Sequence, residues 1–281
     1  MIIIVESGST KSDWVMIQNG QPSPKIETMG FNPYFHDRDV VSNNIKNNNK
    51  IYAIANEVEA LYFYGAGCSS AALCEIIKSG LQDVFVHAEV SVGHDLEACA
   101  YSTYTGKPVI ACILGTGSNS CYYNGKEVIE AVPALSYILG DEGSGSYYGK
   151  ILLRKFLYKT LPKHIQQDFY NQYKIDKESI LSNVYFKANP NVYIASFAKF
   201  VSRHKEDPFI MDMIRQGMRS FMEAHVHCYD FYKTVEVNFM GSIAYCFQEI
   251  LREVAEELNI RVGTIIKSPI DGLVNYHLMY S

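Results

Sequence analysis

Two short stretches of small residues in this chain could cradle an anion. Gly8-Ser9-Thr10-Lys11 follows the apolar run Ile2-Ile3-Ile4-Val5, and Gly115-Thr116-Gly117-Ser118 follows the apolar run over 108–114. Small residues at a strand-to-strand tip let backbone N–H groups converge, and such concavities bind anions, phosphate above all. Lys11 adds positive charge to the first tip. A third turn, Gly241-Ser242, ends an extended run over 235–240 and opens a helix, and helix N-termini also favour anions. Taken singly, each is an ordinary turn. Two such tips facing each other could clasp a polyphosphate.

Phosphoryl transfer to an alcohol further needs a carboxylate that orients or accepts the hydroxyl proton. Asp95 stands between a strand-like run and a helix, where the plain reading is an N-cap. Asp141 and Glu142 lie in Leu139-Gly140-Asp141-Glu142-Gly143-Ser144, an acidic turn between glycines that suits a ligand-facing loop. His225 and His227 do not make a metal pair, because residues two apart on a helix do not face each other. Other nucleotide motifs fail. A Walker A loop over 143–150 has the wrong glycine spacing, with Ile151 where Ser or Thr belongs. The dinucleotide pattern fails too: after Gly143-Ser144-Gly145 the third glycine comes one residue late, and Gly115-Thr116-Gly117 leads into a strand.

The elements that must hold these residues can be read from periodicity. Ile2 to Val5 is a buried strand, Asp13-Trp14-Val15-Met16-Ile17 returns antiparallel, and Asn19-Gly20 turns the chain again towards Met29-Gly30-Phe31-Asn32-Pro33. A short helix over 37–48, a strand over 59–65, a helix over 70–79, a strand over 84–92 and a helix beginning at Asp95 follow. The order strand, Gly/Ser/Thr turn, strand, Asn-Gly turn then recurs over 108–125, about a hundred residues on, which points to duplicated architecture. The second half is mainly helical. Helices are expected over 143–160, 211–229 and from Gly241, where Phe247, Ile250, Leu251, Val254 and Leu258 form a core stripe. The domain boundary is expected at a hinge over 106–108, giving domains 1–107 and 108–281.

Composition narrows the class. Of 281 residues, 48% are hydrophobic and 20% charged, the balance of a globular enzyme. A net charge of −5 with no basic run argues against nucleic acid or an anionic membrane as partner. The first apolar run is too short for a signal peptide or a membrane span. Seven cysteines without a C-x-x-C pair read as reduced thiols, so a cytoplasmic location is expected.

Together these loops resemble, in order and over essentially the whole chain, the N-acetylglucosamine kinase-like members of the BadF/BadG/BcrA/BcrD-type ATPase family. Val5-Glu6-Ser7-Gly8-Ser9-Thr10-Lys11-Ser12 resembles that family's first phosphate loop, and Gly30-Phe31-Asn32-Pro33 its sugar-contacting segment. Leu114-Gly115-Thr116-Gly117-Ser118-Asn119 is similar to the second phosphate loop. Gly140-Asp141-Glu142-Gly143-Ser144 is similar to the substrate loop, and Gly241-Ser242-Ile243-Ala244 to the adenosine-side turn.

The resemblance implies an actin/hexokinase/Hsp70-type α/β fold: two RNase H-like domains with mixed sheets and an ATP cleft between them. It implies that Asp95 is the catalytic base and that Gly8, Ser9, Thr10, Lys11, Gly115, Thr116, Gly117, Ser118, Gly241 and Ser242 bind ATP. Asn32, Asn119, Asp141 and Glu142 would meet the acceptor, and Glu6 would hold Mg²⁺ through water. The acceptor would be a sugar, most simply an N-acetylhexosamine, and homodimers are common among such relatives. The family's glycine-tryptophan-glycine run before the acidic turn is replaced here by Pro133-Ala134-Leu135-Ser136-Tyr137, which bears on the sugar's identity. Two other classes share the fold. An activator ATPase would need cysteines to ligate an iron–sulfur cluster, and a non-catalytic sensor would bind ligand without turnover.

Overall fold

In this computed structural model residues 1–8 and 11–280 are described. They form two compact units, Met1–Thr105 with Ser268–Ser281, and Gly106–Lys267.

In the first unit β1 (Ile2–Ser7) pairs antiparallel with β2 (Lys11–Gln18), from Ile2↔Ile17 to Ser7↔Ser12. Two short strands, β3 (Gln21–Pro22) and β4 (Ile26–Met29), pair with β2 on its other side. On the far side of β1, β5 (Ala60–Gly65) and β6 (Glu89–His94) add parallel. The uninterrupted apolar run of β1 follows from burial on both faces. Ile3 and Val5 pack with Trp14, Phe31, Phe63 and Phe85 under α1 (Arg38–Lys46), the short α2 (Asn49–Tyr52) and α3 (Ala71–Gln82). Ile4, Val15 and Ile17 pack on the other face with α4 (Asp95–Ser102).

The second unit repeats this plan. β7 (Val109–Leu114) pairs antiparallel with β8 (Ser118–Tyr123), which carries β9 (Val128–Ile129). On the other side β10 (Glu236–Met240) runs parallel to β7, and β11 (Val262–Ile266) parallel to β10. Both sheets therefore place their first hairpin centrally and add two parallel strands on one side. The duplication expected from the two Gly/Ser/Thr turns is present in the strand order. Between β9 and β10 lie α5 (Ser136–Leu139), α6 (Gly145–Leu157), α7 (Lys163–Tyr173), α8 (Lys177–Tyr185), α9 (Pro190–Ser196), α10 (Ala198–Arg203) and α11 (Pro208–His225). After β10 come α12 (Ser242–Cys246) and α13 (Gln248–Glu257).

Three expectations need correction. The second domain does not run to the chain end: α14 (Ile270–Tyr280) buries Ile270, Leu273 and Val274 with Ile4 and Val15, so it belongs to the first unit. The strand expected over 84–92 begins only at Glu89, because Val84 and Phe85 are buried in the turn that leaves α3. The helix from Gly241 is broken at Phe247, which anchors α12 and α13 to the core. The seven cysteines are free thiols. Among the described residues no helix is long and apolar enough to cross a membrane, and no group of side chains is arranged to hold a metal by itself.

Candidate active site

In the first unit, strand pairing sets Glu6 opposite Asp13 one step below the hairpin tip. Asp13 is 1% exposed and is held by Lys11 at 3.2 Å and Lys25 at 3.0 Å. Burial first, and then the Asp13 charge, push the Glu6 carboxyl up to about 7, against the pull of Lys11 and Lys25. A cation beside Glu6 would relieve that penalty, so the donor set suits Mg²⁺. Lys11 does not stand alone as a phosphate charge: its Nζ also donates to Glu27 at 2.9 Å. Gly8 N–H closes the tip on the Lys11 carbonyl at 3.0 Å, while Ser9 and Thr10 lie outside the described residues. On the opposite strand face, Ser7 Oγ accepts the Phe31 N–H at 2.8 Å and Ser12 Oγ donates to it at 2.7 Å. These bonds tie the Asn32 segment to the hairpin. Asn32 is buried, and its Oδ1 accepts the Tyr34 N–H at 3.0 Å.

Asp95 is the first residue of α4 and is not its cap. His94 holds the N-cap position, and its N–H donates to Glu97 Oε2 at 2.7 Å. The capping duty that would explain Asp95 is thus met by a different acid. The Asp95 carboxylate is 40% exposed and lies 3.0 Å from His94 Nδ1.

In the second unit the structure brings three of the sequence motifs together. The Gly145 and Ser146 N–H groups, at the start of α6, donate to the carbonyls of Gly115 and Thr116 at 2.8 and 3.0 Å. Gly115 N–H donates to the Gly117 carbonyl at 2.9 Å. The N–H groups of Thr116 and Gly117 have no acceptor among the described residues. The turn's carbonyls are therefore held by α6, and two donors remain for an anion. Asp141 sits at φ 61° and pins the same loop: Oδ1 accepts the Ser118 N–H at 3.2 Å, and Oδ2 the Ser146 hydroxyl at 3.1 Å. Burial raises the Asp141 carboxyl, and these two bonds oppose the rise. A Cβ on Gly117 would stand 2.9 Å from Asp141 Oδ1, so a side chain there would have to displace that carboxylate. Gly241 brings in the third motif at φ 123°, where a Cβ would lie 2.2 Å from the Leu114 carbonyl oxygen. The five residues of α12 are too few to give Ser242 a helix-dipole role; its place is in a pocket wall.

That pocket, about 400 Å³, runs from Gly115 and Thr116 between α9–α10 and α12. Ala195, Ala198, Ile243 and Phe247 supply apolar wall, and Lys199, Ser202, Arg203 and Cys246 the polar groups. Sequence reasoning missed the whole α9–α10 side, because nothing in residues 190–203 marks it beyond ordinary helix composition. The position of His225 beside Glu142 was likewise not marked by the sequence. Buried His225 has Nε2 3.8 Å from Glu142 Oε2, and burial lowers its basicity. Asn119 is buried, with Oδ1 accepting the Ser120 N–H at 2.8 Å and Nδ2 donating to Glu130 at 3.3 Å.

No protein-family model matches the chain, and neither does any curated protein. Solved structures do. A protein of Porphyromonas gingivalis, provisionally named an N-acetylglucosamine kinase, is 32% identical over 100% of this chain and 99% of its own, with a TM-score of 0.94. This chain belongs to the N-acetylglucosamine kinase-like family. A protein of Chromobacterium violaceum with the same provisional name shares the fold, matching 98% of this chain and 98% of its own at 17% identity and a TM-score of 0.78. The actin-like ATPase fold extends to a ROK-family protein of Streptococcus pneumoniae, crystallised with sucrose. It covers 98% of this chain and 97% of its own, at 11% identity and a TM-score of 0.53.

Proposed function

We propose that this protein is a kinase that uses ATP and Mg²⁺ to phosphorylate a sugar hydroxyl, the acceptor being an N-acetylhexosamine. One observation carries the reading: Thr116, whose N–H has no acceptor among the described residues, lines a pocket with apolar walls, two cations and no carboxylate. That combination suits a molecule with a flat apolar end and a polyanionic end, as a nucleoside triphosphate has. When bound, the nucleotide supplies the phosphoryl group, and Mg²⁺ neutralises the charge that builds up on it.

The protein's own groups divide the remaining work. Thr116, Gly117 and Ser118 hold phosphate oxygens, and Gly241 and Ser242 bound the nucleoside side. Glu6 holds the hydrated metal, and Gly8, Ser9, Thr10 and Lys11 complete the first loop. Asn32, Asn119, Asp141 and Glu142 hold the acceptor. Asp141 can do so while pinning the phosphate loop, because each carboxylate oxygen has two lone pairs. Asp95 orients the acceptor hydroxyl and takes its proton, with its carboxylate free of any capping duty and steadied by His94.

The test is ADP release by the purified protein against N-acetylglucosamine, N-acetylmuramic acid, glucosamine, N-acetylmannosamine and glucose. The expected result is stimulation by an N-acetylhexosamine together with a phosphosugar product. ADP release indifferent to every sugar would overturn the acceptor and direct attention to an activator ATPase.

A further inference from the structure

Lys199 and Arg203 are the cations of the second unit's pocket, and neither has a carboxylate partner among the described residues. The neighbouring basic residues behave differently. Arg215 and Arg219 pair with Glu253 and Glu257, and Lys205 lies 3.7 Å from Glu249. Arg203 acts electrostatically on the Tyr173 hydroxyl. The two cations are four residues apart on α10, so they share one helix face. Like charges at that spacing oppose helix formation unless something anionic offsets them. No carboxylate lines the pocket to do so.

Their position says what the anion is. Ala195 packs on Gly145, whose N–H is bonded to the Gly115 carbonyl, so this wall starts at the phosphate loop. Lys199 stands about one helical turn further along the wall and Arg203 about two. Helical side chains lean towards the helix N-terminus, so a lysine of about 6 Å and an arginine of about 7 Å both reach back along the wall towards the loop. The Ser202 hydroxyl and Cys246 thiol meet at 2.8 Å and join the two walls. The base end of the pocket thus offers apolar surface and a hydroxyl–thiol pair already engaged with each other, while both charges lie on the wall that leaves the phosphate loop.

We infer that Lys199 and Arg203 are nucleotide-specificity residues that grip the phosphate chain of the bound nucleotide, so that the pocket selects its ligand by charge more than by base. This rests on the nucleotide reading of the pocket given above. No phosphoryl transfer step is assigned to either side chain.

The experiment is calorimetric titration of the full-length protein with ATP, ADP and adenosine. The proteins are the wild type, Lys199→Ala, Arg203→Ala, the double variant, and Arg203→Lys as a charge-keeping control. Each single alanine should weaken ATP and ADP about fivefold, and the double variant about twentyfold. Adenosine should be weakened less than about twofold, Arg203→Lys should restore most of the ATP affinity, and added KCl should shrink the differences. The variants should keep the wild-type melting midpoint, since both side chains are exposed. Equal losses for ATP and adenosine would overturn the phosphate assignment in favour of a base contact. Unchanged ATP affinity in the double variant would overturn it outright. A wild type that binds none of the three would instead sink the nucleotide reading of the pocket, and this inference with it.

Discussion

The two central hairpins are built alike and equipped differently. In the first unit the tip pair is Ser7↔Ser12, and the next pair down is Glu6↔Asp13. In the second unit the tip pair is Leu114↔Ser118, and the next is Ile113↔Asn119. The same scaffold position thus holds two carboxylates in one case and an aliphatic side chain with an amide in the other. The first hairpin gathers two carboxyl groups, with Glu6 pushed up to about 7 and Asp13 held by two lysines. The second leaves the Thr116 and Gly117 N–H groups without an acceptor among the described residues, and the Asp141 carboxylate, brought from the turn before α6, is bonded inward. The two hairpins share one geometry, and under the proposed function their different residues at matched positions divide metal and proton chemistry from anion holding.

The contrast can be broken most sharply at Asp95. Asp95→Asn should lower turnover about a thousandfold, within the range for a lost general base, while ATP affinity by calorimetry changes less than about twofold. Full turnover in this variant would remove Asp95 from the chemistry. Next in size is Gly241→Ala. The positive φ and the Leu114 carbonyl in the way should cost about 3 kcal/mol of stability, read as a lower urea midpoint. An unchanged midpoint would mean the third turn does not press on the phosphate loop.

Of similar size is an acid effect in the first unit. Burial pushes the His277 imidazole down to about 4, beside Tyr62 at a ring distance of 4.0 Å and the Tyr64 hydroxyl at 2.8 Å. The unfolded chain takes up a proton near pH 6.5 and the folded one only near pH 4. Stability is therefore complete above pH 6.5 and falls as pH drops towards 4, by about 3 kcal/mol. Denaturation curves across that window should show the loss, and His277→Phe should flatten it; an unaltered pH profile would refute the assignment. The smallest effect belongs to the second tip. Thr116→Val should weaken ATP by about tenfold, or ~1.5 kcal/mol, with kcat unchanged at saturating ATP. If kcat fell instead, the division of labour between the hairpins would be wrong.

Much of this was legible in advance because it is local. The apolar run before each small-residue turn marks a strand buried on both faces, and Asn-Gly marks the turn that follows, at Gly20 with φ 74° and Gly125 with φ 94°. The stripe Ile250, Leu251, Val254 is core, as its spacing requires. The strand over 84–92 was misread because Val84 and Phe85 satisfy a strand pattern while serving as plugs beneath a turn.

What the residues determined by themselves was the pair of Gly-rich tips, the carboxylates near them and the duplicated strand order, since backbone donors and period-two burial depend on neighbours in the chain. Three matters were left to the tertiary structure. Glu97, not Asp95, caps α4, because a reciprocal cap depends on which acid curls back to the N–H. Asp141 is bonded to a loop 23 residues away in sequence, and α14 packs into the first unit from the opposite end of the chain. The cationic pocket wall of α10 likewise exists only because α6 and α9 pack together. Such contacts join segments distant in sequence, and no local periodicity encodes which of them will meet.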